Sequence, residues 1–333
     1  LNREIHLVKR PEATPTHEHL NIVEQSNPKP EEGEVLLRTL YVSVDPYMRG
    51  RMSDAKSYIE PFQLNEPISG GAIAQVTESR SEQFNQGDIV TGALEWKEYS
   101  VADEKSLRKV DPSLGPVTTS LGILGMPGLT AYFGLIDIGA PKEGETLVVS
   151  GAAGAVGSAV VQIGKIYGCR VVGIAGTKEK TRYLTDELGV DVVINYKNEN
   201  VAQALEEACP NGVDVYFDNV GGDISDSVYP LLNKFARIVQ CGAISSYNTP
   251  NDQGPRIHMQ LIKSSALVKG FTVGDYQERF SEGFQHLSKW LQEGKLTYEE
   301  TIVEGFDQIP DAFFGLFKGE NLGKQLVKVA DPE

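Results

Sequence analysis

The residues best placed to do chemistry are three glycines at a spacing of three, in the run Gly151-Ala152-Ala153-Gly154-Ala155-Val156-Gly157. The apolar run Leu147-Val148-Val149-Ser150 leads into it, and Ser158-Ala159-Val160-Val161-Gln162-Ile163-Gly164-Lys165 leads out, a pattern of buried strand, tight turn and helix. Glycines there let the backbone turn sharply and approach a ligand closely, while the N–H groups at the helix start form a nest suited to a pyrophosphate. Alone such a turn says little, because any tight strand-to-helix connection accepts glycine. The flanks add to it. A second apolar strand, Cys169-Arg170-Val171-Val172-Gly173-Ile174-Ala175, completes a strand–helix–strand unit, half of a Rossmann sheet. It ends in Ala175-Gly176-Thr177, not in the Asp or Glu that would bond the adenine ribose hydroxyls, and Lys178-Glu179-Lys180 follow. A carboxylate would repel a phosphate on that ribose and an ammonium would neutralise it, so the pattern favours NADP(H) over NAD(H). The plainer alternative is that Lys178 and Lys180 are solvated in the first turn of a helix.

Those residues need a frame. A chain of 333 residues exceeds one average core, so two domains are expected. Its 40% hydrophobic and 23% charged residues are those of an ordinary globular protein. A net charge of −15 argues against general affinity for nucleic acid or anionic membrane, so an anionic cofactor must meet a local basic site. No run reaches the roughly 18–20 apolar residues of a membrane span, and Leu1–Leu20 is too polar for a signal peptide; a cytoplasmic location is expected. Cys169, Cys209 and Cys241 are scattered and odd in number, which fits a reducing compartment.

Along the chain, Glu4–Lys9, Glu34–Ser43, Gly71–Thr77, Gly87–Thr91 and Lys97–Val101 read as strands with glycine and proline turns between them, as in a partly closed β-barrel. The pattern turns helical over Thr118–Ile138. Beyond the glycine turn, helices about Glu179–Leu188, Val201–Ala208, Ile224–Leu232 and Met259–Ser264 alternate with strands about Asp191–Ile194, Val213–Asp218, Ala236–Cys241 and Ala266–Val273. Such alternation predicts a parallel, doubly wound sheet. An amphipathic helix over Phe280–Gln292 packs back on it, and Thr301–Val329 again carries strand signals. The expected architecture is α/β: a GroES-like barrel domain from 1–125 with 304–333, and a Rossmann domain over 126–303.

Several motifs lie in one order: Val44-Asp45-Pro46-Tyr47-Met48-Arg49, Gly125-Met126-Pro127-Gly128-Leu129-Thr130-Ala131-Tyr132, the glycine turn, Phe217-Asp218-Asn219-Val220-Gly221-Gly222, Cys241-Gly242-Ala243-Ile244-Ser245-Ser246-Tyr247-Asn248 and Gly319-Glu320-Asn321-Leu322-Gly323-Lys324. Over nearly its whole length the chain resembles the medium-chain dehydrogenase/reductase superfamily, in its zinc-free prostaglandin reductase branch. That branch includes leukotriene B4 12-hydroxydehydrogenase, plant 2-alkenal reductases and bacterial curcumin reductase. The resemblance implies NADPH-dependent reduction of the C=C bond of an α,β-unsaturated ketone or aldehyde. A catalytic zinc needs three protein ligands and a structural one four. The barrel half has no cysteine and the five histidines show no ligand spacing, so no metal is expected. Hydride addition to the β-carbon of an enone then puts charge on an enolate oxygen, which a hydrogen-bond donor can stabilise.

The resemblance implies site residues as follows. Tyr247 is the candidate enolate stabiliser or proton donor, with nicotinamide stacking or loop packing as the alternative, and Tyr58 and Tyr47 line the substrate cleft from the barrel side. Some relatives carry a further tyrosine in the helix before the last Rossmann strand, but Met259–Lys269 holds none, which leaves the proton donor open. Ala153, Gly154, Ala155 and Val156 hold the diphosphate, Gly176 passes close to the ribose, Lys180 pairs with the 2′-phosphate and Tyr196 borders it. Asn219 bonds ribose hydroxyls, with Asp218 capping the loop. Cys241, Gly242, Ala243, Ile244, Ser245 and Tyr247 wrap the nicotinamide half with Phe271, Thr272 and Val273, and Asn321 reaches in from the return segment. Arg51–Asn65, with Tyr58, Ile59 and Phe62, is expected to be a mobile flap. The enone or alkenal substrate, a homodimer joined through Leu267–Val273, and the alternatives of quinone reduction or NADPH binding without turnover complete the expectations.

Overall fold

The computed structural model describes all residues from Leu1 to Glu333. They fall into two compact units: Leu1–Leu121 with Glu300–Asn321 and Gln325–Glu333, and Gly122–Glu299 with Leu322–Lys324.

The first unit contains β1 (Asn2–Leu7), β2 (Leu20–Gln25), β3 (Glu34–Ser43), the short helix α1 (Met48–Arg51), β4 (Glu66–Pro67), β5 (Ser69–Ser79), β6 (Ile89–Glu95), β7 (Tyr99–Asp103) and β8 (Arg108–Lys109). Its strands are antiparallel, in a small sheet β2-β1-β4 and a larger one built on β3, which pairs with both β5 and β7. Two register shifts against β5, between Leu36 and Leu37 and between Thr39 and Tyr41, bend β3 along its length. It therefore feeds successive cores: Val35 and Leu37 pack with Val90 and Leu107, Leu40 with Ile73 and Leu121, and Val42 with Trp96. Immediately after it, Pro46 turns the chain into α1, which buries Met48.

The second unit contains α2 (Met126–Phe133), β9 (Thr146–Val149), α3 (Ala155–Ile166), β10 (Arg170–Ala175), α4 (Lys178–Arg182), β11 (Val192–Asn195), α5 (Val201–Ala208), β12 (Val213–Asp218), α6 (Gly222–Val228), β13 (Leu232–Gln240), α7 (His258–Ser264), β14 (Leu267–Gly270) and α8 (Phe280–Gln292). Its six strands are parallel, in the order β11-β10-β9-β12-β13-β14. The chain winds outward one way from β9 and then returns to wind the other way from β12. The turns that leave these two neighbouring strands flank the point where strand order reverses, which is where ligands of doubly wound sheets bind.

The chain then returns to the first unit through β15 (Glu300–Glu304), α9 (Ile309–Leu316) and β16 (Lys324–Lys328), with β16 antiparallel to β3. The strand signals of Thr301–Val329 hold at β15 and β16, and between them they miss α9: Ile309, Phe313 and Leu316 share one helical face and sink into the core beside Trp96, and Pro310 sits in the first turn, where its missing N–H costs nothing. The helical reading of Thr118–Ile138 holds in pieces: a 3-10 turn over Val117–Leu121, then α2 with Pro127 in its first turn, continued as a wider helical turn over Gly134–Gly139. β2 was not foreseen; it lies at a sheet edge with little buried side chain and so lacks a clear alternation. No helix is long and apolar enough to cross a membrane.

Candidate cofactor site and active-site residues

The three glycines of the turn after β9 have three different reasons. Gly151 has φ +58°, a left-handed conformation that side chains resist. At Gly157 a Cβ would run into the Gly151 carbonyl, so α3 can start this close to the turn only without one. Gly154 has an extended backbone, and a Cβ there would meet only Gly151 O at an ordinary 3.5 Å. Nothing in the protein's own packing demands glycine at 154. No side chain caps α3 at Gly154, and the first N–H groups of a helix, here at Ala155 and Val156, have no acceptor within it, an arrangement that suits an anion. The Gly154 N–H itself bonds Gly151 O at 3.2 Å, so this residue offers an open Cα face, not a donor. Along the turn lies Gly323, whose N–H donates to Ala153 O at 2.8 Å; it has φ +66° and no space for a Cβ beside Glu299 O. Gly323 lies in the run Gly319–Lys324, where the resemblance points to Asn321 alone. The glycine itself was the signal, a residue needed for close backbone approach.

The neighbouring turn, after β12, is held by Asp218, 1% exposed. Its Oδ1 accepts from Ser150 Oγ (2.8 Å), Tyr216 OH (3.0 Å) and the N–H groups of Val220 and Gly221 (both 2.9 Å); Oδ2 accepts from Ser225 Oγ (2.6 Å) and Gln240 Nε2 (3.0 Å). The carboxylate thus ties β9, β12, β13 and α6 together and caps the loop, a structural task. Burial, and then the Asp218 charge, push the Tyr216 phenol well above its ordinary range. Asn219 is fixed on both sides: its N–H donates to Ser150 Oγ at 2.9 Å and its Nδ2 to Ser150 O at 2.8 Å. Its side-chain oxygen takes no part in these two bonds.

At the other flank, β10 ends in Gly176. A Cβ here would press on the Tyr196 ring at 2.8 Å, so the ring covers this glycine. Thr177 caps α4 through Oγ1, which accepts from Lys180 N at 3.2 Å. The Lys180 ammonium is depressed, first by burial and then by the charge of Lys197, with Glu179 opposing. A cation held this way is stabilised by an arriving anion.

Cys241 and Gly242 follow β13, their N–H groups donating to Asp218 O at 2.9 and 3.1 Å. The Cys241 thiol is pushed up to about 12 by the protein crowded around it and then by the Asp218 charge, so it stays protonated at neutral pH. Ser245 Oγ donates to Val220 O at 2.6 Å. Tyr247 folds back on this loop: the Ala243 N–H donates to its phenol oxygen at 3.2 Å, and Gly242 passes close to the same oxygen. A phenol that accepts at oxygen is polarised as a donor through its hydrogen. After β14, Phe271 packs where a Cβ on Gly134 would stand, and the Thr272 N–H donates to Asp275 Oδ2 at 2.9 Å. Val273 opens the short helical segment that follows.

Tyr47, Tyr58 and Asn321 belong to the first unit. Tyr47 is partly buried, and burial followed by the Asp45 charge raises its phenol, with Arg51 opposing. Asp45 is itself 5% exposed and accepts from Ser43 Oγ at 2.6 Å. Tyr58 is 70% exposed. The segment expected as a mobile flap has a fixed base: Arg10 donates to Met52 O (2.9 Å) and Phe62 O (3.0 Å), the Arg51 guanidinium lies 4.1 Å over the Phe62 ring, and Phe62 is buried. Asp54–Tyr58, Glu60 and Gln63–Asn65 are exposed.

No three His, Cys, Asp or Glu side chains gather as a metal ligand set. Against known proteins, the family model described as the N-terminal domain of oxidoreductase matches residues 3–110, and that of zinc-binding dehydrogenase matches residues 155–289. YfmJ of Bacillus subtilis (strain 168), named as an NADP-dependent oxidoreductase, is 61% identical over 99% of this chain and 98% of its own. The NADPH-dependent curcumin reductase of Escherichia coli (strain K12) is 44% identical over 99% and 97%. The crystal structure of CurA from Vibrio vulnificus in complex with NADPH superimposes with a TM-score of 0.95 at 45% identity, covering 99% of this chain and all of that one. With relatives this similar along their whole length, the chain belongs to the medium-chain dehydrogenase/reductase family, in its zinc-free branch.

Proposed function

We propose that this protein is an NADPH-dependent oxidoreductase of the curcumin and prostaglandin reductase type, and that it reduces the C=C bond of α,β-unsaturated ketones or aldehydes. The observation that carries the cofactor reading is the glycine turn, where Gly154 is open to a ligand beside an uncapped helix start. Two of the relatives are named NADPH-dependent curcumin reductase and prostaglandin reductase 1.

When bound, NADPH supplies a hydride. Each other task falls to this chain. The Ala155 and Val156 N–H groups hold the diphosphate, Gly154 and Gly323 leave it room, and Asn219 meets a ribose hydroxyl. Lys180 meets the 2′-phosphate, with Tyr196 beside it. The loop from Cys241 to Tyr247 and the segment Phe271–Val273 enclose the nicotinamide half, Asn321 contributing from the return segment. Reduction at the β-carbon places charge on the substrate's carbonyl oxygen, and the Tyr247 hydroxyl donates to that oxygen. One such donor is worth roughly a hundredfold or more in kcat. Tyr47, whose phenol stays protonated, and Tyr58 contact the substrate and set its range. The reaction takes up one proton from solvent for each hydride delivered.

The test follows NADPH oxidation with enones, alkenals and quinones, run beside NADH and with a chelator present. Enone turnover with NADPH that survives the chelator supports the proposal. Turnover of quinones alone replaces it with quinone reduction, NADPH binding without turnover leaves a binding protein, and preference for NADH overturns the role of Lys180. Light scattering addresses the proposed homodimer: β14 is the outer strand of its sheet, with Leu267 half exposed, and a monomer at micromolar concentration rules out that edge as a joint.

A further inference from the structure

We infer that Lys197 is a second cation of the 2′-phosphate subsite and a determinant of NADPH over NADH. The inference rests on the cofactor reading above. β10 and β11 are parallel neighbours with Ala175 level with Asn195, so the residues leaving them, Gly176-Thr177 and Tyr196-Lys197, run side by side at one edge of the sheet. The second of these turns is fixed by its own bonds. Tyr196 N–H donates to Ala175 O (3.1 Å), Lys197 N–H to Asn195 Oδ1 (3.1 Å), and the N–H groups of Asn198 and Glu199 to Asn195 O (3.1 and 3.0 Å). Asn195 is buried and the Tyr196 ring rests on Gly176, so the start of the Lys197 side chain cannot drift. The nearest acid on this turn, Glu199, is engaged: its Oε2 accepts from Asn195 N at 2.6 Å.

Lys197 is exposed, and after burial its charge is the next cause that lowers the Lys180 ammonium, with Glu179 opposing. In a chain of net charge −15, two lysines carried by the adjoining turns that leave β10 and β11 mark a place for an anion with more than one negative charge. A 2′-phosphate is such an anion, and a bare ribose is not.

Direct binding by calorimetry separates the parts, with 2′,5′-ADP and 5′-AMP as probes that differ in the 2′-phosphate. Lys197→Gln should weaken 2′,5′-ADP roughly tenfold, leave 5′-AMP within twofold, and reduce the salt dependence of 2′,5′-ADP binding; Lys197→Arg should restore most of the loss. Unchanged 2′,5′-ADP affinity in Lys197→Gln, alongside a loss in Lys180→Gln, overturns the role of Lys197 while the cofactor reading stands. Equal weakening of both probes assigns Lys197 to packing of the turn and also overturns it. A wild-type protein that binds the two probes equally has no 2′-phosphate subsite, and both readings fall.

Discussion

The glycine turn of the parallel unit offers a ligand backbone, whereas the corner and flap at residues 44–65 of the antiparallel unit offer side chains. The difference sets what each can tolerate. Around the turn, Gly154 apart, the residues are needed by the fold: Gly151 by its dihedral, Gly157 by the approach of α3, Asp218 by the six groups that donate to it. On the flap, Tyr58 stands 70% exposed above a base that Arg10, Arg51 and Phe62 hold without it. A surface built this way can change its side chains with little cost in stability, while the glycine turn has little freedom to change outside Gly154.

The comparison is broken most severely at Asp218. Asp218→Ala leaves buried donors without an acceptor, and a loss of about 3–5 kcal/mol in denaturant unfolding is expected. A loss under 1 kcal/mol would mean that the two turns hold without this hub. Next are the glycines. Gly157→Val drives a side chain into the Gly151 carbonyl, where only backbone could yield, and Tm should fall by about 10 °C. Gly154→Ala has room for its methyl, so Tm should hold while NADPH affinity falls about tenfold or more, since about 1.4 kcal/mol of lost contact is a factor of ten. Normal NADPH affinity in Gly154→Ala would remove the argument that a ligand approaches at this residue.

What could be read beforehand follows the same line. Glycine spacing, strand alternation and the missing acid after Ala175 are local and periodic, so the parallel unit and its cradle were legible from the chain itself. α9 was not, because Ile309, Phe313 and Phe314 are apolar and aromatic enough to pass for strand, and only their contact with a core contributed by distant strands decides the matter. Likewise Ser150, Ser225 and Gln240 carry no pattern; they become partners of Asp218 only when β9, β12 and β13 lie side by side. Gly323 and Lys197 were visible as residue types, but their neighbours are set by sheet order and register. The role of each tyrosine was legible only through resemblance, since a phenol's task depends on what faces it.

The tyrosines sharpen the comparison at smaller amplitude. Tyr247→Phe should lower kcat with enones roughly a hundredfold with NADPH affinity unchanged, because the Ala243 N–H then loses a single acceptor on a loop held by Cys241, Gly242 and Ser245. Tyr47→Phe and Tyr58→Phe should alter KM for bulky enones more than kcat. If Tyr58→Phe lowered Tm as much as Gly157→Val, the division between a rigid cofactor turn and a tolerant flap would fail.

The smallest effect reads the parallel unit alone, since Cys169, Cys209 and Cys241 all lie in it. Burial raises Cys169 and Cys209 to about 11 and Cys241 to about 12, from an ordinary 9.0. Below pH 9 the thiols are protonated in both folded and unfolded chains and cost nothing. As pH rises past 9 the unfolded chain releases protons that the folded chain keeps, so the folded state binds more protons and stability falls through the window from 9 to about 12. The same shifts make the native thiols poor nucleophiles, since only the thiolate reacts. Alkylation at pH 8 should therefore leave all three cysteines unmodified over a time in which a free thiol reacts fully, and added denaturant should expose them together. Fast modification of Cys241 alone in the native protein would show that the loop between Cys241 and Tyr247 opens independently, and the rigid half of the comparison would then end at Asp218.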